Sequence, residues 1–246
     1  MAKILKKLNG HSSSEVLLIE KNNKTLIRKS GQVGRNLERM DALSRLHLPL
    51  PKIIEIYGDS YEMEYIHNLD IKTYMIKYGI TNIVSFIKNV IDLFSRETID
   101  IDYSSVYEEK LNKIDFSVFS FSKEQLFQKL PKILPSSEYH GDFTLENILF
   151  DIRQNKFVLI DPLTTEYNSF VFDLAKLRQD LICKWFIRNN KSYNDSKLKS
   201  MFDELNFLPY MNDNSLLILM LLRILPYTKQ NDDKLFLKRE IEKLWK

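Results

Sequence analysis

Apolar positions recur along this chain in two periods, and each change of period marks a change of predicted element. Residues 15–20 form a short apolar run, residues 21–24 a polar turn signal, and residues 25–29 a second run, which together predict a β-hairpin. From Asn36 the period lengthens: Leu37, Met40, Leu43 and Leu46 stand at helical spacing, with Asn36 as the expected cap. Pro49 and Pro51 end that helix, because proline cannot continue the hydrogen-bond ladder. Residues 53–57 and 61–66 read as two further strands around Gly58, Asp59 and Ser60.

Beyond this point the helical period dominates. Residues 71–78 and 83–94 carry apolar residues at helical spacing, with Thr81 and Asn82 as the expected cap of the second. Residues 101–130 are less regular and read as helix. A hairpin is predicted from 148–150 and 157–160, and helices follow to residue 246. The pattern defines an α+β chain with a β-rich stretch over residues 1–66 and a larger helical stretch over 67–246.

Composition narrows this picture. Of 246 residues, 44% are hydrophobic and 28% charged, as in an ordinary globular protein with a sizeable core. A net charge of +3 is too small to suggest a nucleic-acid partner, for which a clustered basic face is expected. The single cysteine, Cys183, excludes an internal disulfide framework, lies in an apolar stretch that predicts burial, and fits a reducing compartment. No secretory pattern is visible over residues 1–7, and the most apolar run, 216–225, is too short to span a bilayer and is broken by Arg223. A soluble, cytoplasmic protein with no membrane span is expected.

The candidate chemistry lies in His140-Gly141-Asp142-Phe143-Thr144-Leu145-Glu146-Asn147, followed by the strand pattern that ends in Asp161-Pro162. Asp142 and Asn147 are five residues apart, and Asp161 follows fourteen later. Phosphoryl transfer from a nucleotide requires such a set: a carboxylate for the acceptor's hydroxyl and two oxygen ligands for Mg2+.

The segment resembles the catalytic loop and metal-binding aspartate of the protein-kinase-like fold, and His-Gly-Asp is similar to the aminoglycoside phosphotransferase and choline kinase branch. The resemblance implies a two-lobed fold, with a small β-rich N-lobe over 1–66 that binds nucleotide. A larger helical C-lobe over 67–246 would carry the catalytic loop and the acceptor. It implies that Asp142 is the catalytic base and that Asn147 and Asp161 hold Mg2+. His140 and Asp173 are expected to support the loop structurally. In the N-lobe, Lys29 resembles the phosphate-binding lysine, with Glu38 pairing with it. Arg28 competes for that role, since alternate side chains on a strand face opposite ways, and Lys29 is favoured. Ser12, Ser13 and Ser14 occupy the place of the phosphate-covering loop, and Met63, Glu64, Tyr65 and Ile66 that of the hinge to the base of ATP or GTP.

Only eleven residues separate Asp161 from Asp173, with no Ala-Pro-Glu motif, so a small-molecule acceptor is favoured over a peptide. Leu163 stands where choline and ethanolamine kinases commonly carry Glu, and the acidic residues after the signature do not cluster as a polycationic aminoglycoside would require. A sugar-like hydroxyl, including one used in building cell-surface polysaccharide, is the expected acceptor. Choline, amino-alcohol and aminoglycoside kinases are the alternatives, and a kinase-like nucleotide-binding module without turnover is the alternative of another class.

Overall fold

The first strand was not visible in the residue pattern. β1 (Lys3–Leu8) is largely exposed and pairs antiparallel with β2 (Glu15–Lys21), whose turn leads into β3 (Lys24–Ser30). Next come α1 (Val33–Arg45), β4 (Ile53–Tyr57), β5 (Ser60–Glu64), β6 (Asn68–Leu69) and α2 (Ile71–Tyr78). The middle of the chain holds α3 (Thr81–Phe94), β7 (Ile99–Asp102), α4 (Ser104–Leu111), α5 (Lys123–Lys129) and β8 (Ile133–Ser136). After the signature follow the hairpin β9 (Ile148–Asp151) and β10 (Lys156–Leu159), then α6 (Phe170–Leu181), α7 (Ser196–Leu205), α8 (Asn214–Ile224) and α9 (Asn231–Trp245). The structure, a computed structural model, describes residues 2–8, 14–31, 33–189 and 195–246.

The chain divides into two compact units, Met1–Gly79 with Glu146–Thr165, and Ile80–Leu145 with Glu166–Lys246. These do not coincide with the break expected after residue 66. The short β6 pairs with β9, and α2 packs Tyr74 against Phe150 and Phe157 at ring-centroid distances of 4.6 and 4.9 Å. Residues 67–79 and the β9–β10 hairpin therefore belong with the N-terminal sheet.

In the first unit the sheet runs β1-β2-β3-β5-β4. Its register puts Ile27 opposite Met63, Arg28 opposite Glu62 and Lys29 opposite Tyr61. Alternation then turns Ile27 to the core of Val33, Met40, Tyr61 and Met63, with Lys29 on the same face and Arg28 on the other. Helix α1 begins at Val33, so Asn36 is an interior position and not the cap; Val33, Asn36, Arg39, Met40 and Leu43 form its buried stripe.

In the second unit α8 is buried from Ser215 to Leu222, as its apolar run predicts. Each such Leu, Ile or Met contributes about 1.5–3 kcal/mol on burial. Two details differ from the sequence reading. Thr81 is already helical, and Ile80 caps α3 without a side-chain bond. β7 and β8 pair as a two-stranded sheet at the margins of the segment read as helix, because pairing across thirty residues leaves no local signal. Cys183 is buried, which pushes its thiol up to about 12. Among the described residues no helix is long and apolar enough to cross a membrane.

Candidate active site

In the second unit, α6 organises the signature loop from one face. Ser169 caps the helix, its hydroxyl accepting the Val171 N–H at 3.2 Å. Asp173, Lys176 and Asp180 then follow at i, i+3 and i+7, a spacing that lines them up on one side. Asp173 accepts the N–H groups of His140 and Gly141, the latter at 2.9 Å. Asp180 accepts the N–H of Leu145 at 2.8 Å. The loop is therefore tied at both ends by carboxylates of one helix. Gly141 lies at φ 87, a left-handed conformation that favours glycine. His140 is buried, and its Nδ1 accepts the Asp142 N–H at 3.3 Å.

Between these ties, the Asp142 side chain is 40% exposed and pairs with the Lys176 ammonium at 3.0 Å. Burial works against its charge, but Lys176, then His140 and Arg223, outweigh burial and hold the carboxyl below the usual aspartate range. Asp142 is thus an accessible carboxylate at neutral pH. Asp173 behaves oppositely. Burial pushes it up to about 7, against the N–H groups of His140, Gly141 and Phe143, with the charge of Asp142 adding to the rise.

In the first unit, Asn147 closes a single 3-10 turn, Leu145–Asn147, just before β9. Its carbonyl accepts the Ile160 N–H at 3.0 Å, which extends the β9–β10 ladder by one pair and puts Asn147 beside the residue preceding Asp161. Asp161 follows β10 at φ 56, and its carboxylate meets Lys29 Nζ at 2.9 Å. Lys29 is 5% exposed, whereas the Asp161 side chain is 37% exposed. Arg28 turns away to Glu62, its Nη2 at 2.8 Å from Oε1. The segment after Asp161 is fastened to α1: Asn36 Nδ2 donates to the Pro162 carbonyl at 2.7 Å and Arg35 Nε to that of Thr164 at 2.8 Å. The Asp161 carboxylate and the Asn147 amide supply oxygen donors on adjoining strand ends, a set that suits Mg2+, which keeps further waters and phosphate oxygens.

Several expected residues are arranged differently. Glu38 lies on the exposed side of α1, outside its buried stripe, and among the described residues Lys29 pairs with Asp161. The helix register places Asn36 in the inward position that Glu38 was expected to fill. Ser14 donates to the Gly31 carbonyl at 3.2 Å, while Ser12 and Ser13 lie outside the described residues. Met63 and Ile66 are buried, Glu64 and Tyr65 half-buried, and pairing with β3 ends at Glu64, so Tyr65 and Ile66 continue beyond the ladder. Lys176, Asp180 and Asn36 were not singled out for the site in the sequence. The i, i+3, i+7 spacing after the signature is the signal that finds the first two.

The element order, with a small antiparallel sheet followed by a helical unit, is that of the protein-kinase-like α+β fold. A family model described as the phosphotransferase enzyme family matches residues 98–190. The structure resembles a thermostable mutant of the aminoglycoside phosphotransferase APH(4)-Ia in its apo form, with a TM-score of 0.68 at 12% identity, over 99% of this chain and 94% of that one. It is also similar to a putative fructosamine-3-kinase from Haemophilus somnus (TM-score 0.63, 12% identity, 100% and 92% covered). Choline kinase LicA from Streptococcus pneumoniae is a third such structure (0.61, 14%, 98% and 93%). No curated protein matches the sequence. The resemblance drawn from the signature therefore holds: the chain is similar to the aminoglycoside phosphotransferases and choline kinases and shares their fold.

Proposed function

We propose that this chain transfers the γ-phosphoryl group of ATP or GTP to a hydroxyl of a sugar-like small molecule. The observation that carries the reading is the Lys29–Asp161 pair at 2.9 Å, which joins positions 132 residues apart. A cation for phosphate and a carboxylate for a metal belong together where a nucleotide's charged tail is held. The match to the phosphotransferase model and the fold of a phosphotransferase seen in a ternary complex with ADP and hygromycin B support it.

In this mechanism Asp142 accepts a hydrogen bond from the acceptor hydroxyl, orients it, and takes its proton as the bond to phosphorus forms. Lys176 keeps that carboxylate charged at neutral pH, and Asp173 and Asp180 keep its loop in place. Asn147 and Asp161 would hold Mg2+, which neutralises charge on the phosphate oxygens. Lys29 turns from Asp161 to the phosphates when nucleotide binds, while Met63 to Ile66 meet the base. Positioning of this kind can supply about 7–11 kcal/mol. Leu163, in place of the glutamate of choline kinases, favours a sugar hydroxyl over an amino alcohol; a sugar used in cell-surface polysaccharide, phosphorylated in the cytoplasm, is the proposed context.

The test is nucleotide consumption with Mg2+ across sugars, amino alcohols and aminoglycosides. We expect stimulation by a sugar class, and Asp142→Asn to lower turnover by roughly 10²–10⁴-fold while nucleotide still binds. Undiminished turnover in that variant removes Asp142 as the base. Nucleotide binding without stimulation by any acceptor would indicate a module without turnover.

A further inference from the structure

The second unit carries two cations that make no direct ion pair with a described carboxylate. Arg223 follows the buried run of α8, Ser215–Leu222, and is itself half-buried, so its charge is only partly solvated. Its guanidinium lies over the Tyr167 ring, 4.1 Å from the centroid, and its Nη1 is 3.1 Å from Met220 Sδ. Among the described residues no carboxylate pairs with it. A ring face and a thioether engage only part of a group that has five N–H donors in a planar fork.

Lys110 on α4 is the second such cation. It is half-buried, its ammonium stands 5.3 Å from the centroid of Tyr227, and no described carboxylate pairs with it. Burial first, and then the charge of Arg223, lower its pKa. Glu166 is close enough to moderate both charges but pairs with neither. Neither cation has a carboxylate in direct contact among the described residues, and an incoming anion could pair with both.

These cations lie on the side of the base. Tyr167, under Arg223, packs edge-on against Phe172 at 4.9 Å, one residue before Asp173, whose carboxylate holds the loop of Asp142. The charge of Arg223 also acts on Asp142 itself. We propose that the acceptor carries an oxyanion, a phosphate or a carboxylate, and that Arg223, assisted by Lys110, receives it while Asp142 meets the hydroxyl. A planar guanidinium matches such a group with two parallel hydrogen bonds. A cationic acceptor would instead meet Arg223, Lys110 and Lys176 with like charge.

This inference rests on the kinase reading, and it is tested on the full chain with one sugar skeleton in four forms: neutral, amino, uronic acid and phosphate. An acidic form should have a KM about tenfold or more below the neutral and amino forms, a difference of about 1.4 kcal/mol. Arg223→Gln should raise that KM about tenfold more than it raises the KM of the neutral sugar. Arg223→Lys should recover part of the loss, and Lys110→Gln, on a more open helix, should give a smaller rise. Equal KM values, preference for the amino sugar, or equal effects of Arg223→Gln on all forms would overturn the proposal. The uronic acid and phosphate arms identify which oxyanion is taken. If no sugar stimulates nucleotide consumption, the kinase reading fails separately, and thermal stabilisation decides the anion site. Protection of the wild type by an acidic sugar, absent in Arg223→Gln, upholds it; equal protection by neutral and acidic sugars, or none, refutes it.

Discussion

Two neighbouring carboxylates of the second unit are pushed in opposite directions, one because a cation outweighs burial and the other because burial outweighs its N–H partners. Asp142 faces an ammonium and stays charged, while Asp173 faces only backbone N–H groups in a buried setting and rises to about 7. The sign of the second effect is testable. Because its folded pKa lies above its ordinary value, the folded state holds the proton more tightly than the unfolded chain, so stability falls as pH rises from about 4 to about 7. In Asp173→Asn that falling contribution should be absent. Denaturant titrations of both proteins at pH 5 and pH 7.5 check this; an identical pH slope in the two would show that Asp173 is not the group responsible. The roles proposed for Asp142, Asn147 and Asp161 could be read from the sequence because their spacing is short and local. Arg223 was visible only as a break in an apolar run, since its relation to Asp142 depends on how α8 packs.

At the scale of elements, helix register decides which α1 residue serves the site. A start at Val33 turns Asn36 inward and Glu38 outward, so the tie to the segment after Asp161 is an amide-to-carbonyl bond at 2.7 Å. Losing such a bond costs about 0.5–1.5 kcal/mol. We therefore expect Asn36→Ala to weaken Mg2+–nucleotide binding a few-fold to about tenfold, and Glu38→Ala to change it little, as read by calorimetric titration. The reverse outcome would restore Glu38 as the partner of Lys29. Strands with a strong local pattern, β2 to β5, were read correctly. β1, β6, β7 and β8 were missed because they are short or exposed and are defined by their partners.

For the molecule as a whole, the proposed labour divides between the two units: nucleotide groups on the first (Lys29, Asn147, Asp161) and acceptor groups on the second (Asp142, Lys110, Arg223). Hydrogen exchange can follow each separately. Mg2+–ATP alone should slow exchange in β3 and in residues 147–161, whereas an acceptor should slow it in residues 139–145 and the first turns of α6. Acceptor protection confined to the first unit would count against this division.

The sequence by itself determined the resemblance to the phosphotransferases and the α+β plan, because motif spacing and apolar periodicity are properties of neighbouring residues. Only the tertiary structure decided that Lys29 meets Asp161, that Asn36 and not Glu38 faces inward, and that α6 ties the signature loop at both ends. It also set Arg223 over the ring of Tyr167. Each of these depends on register and packing between segments far apart in the chain, where one residue's shift turns a side chain to another face.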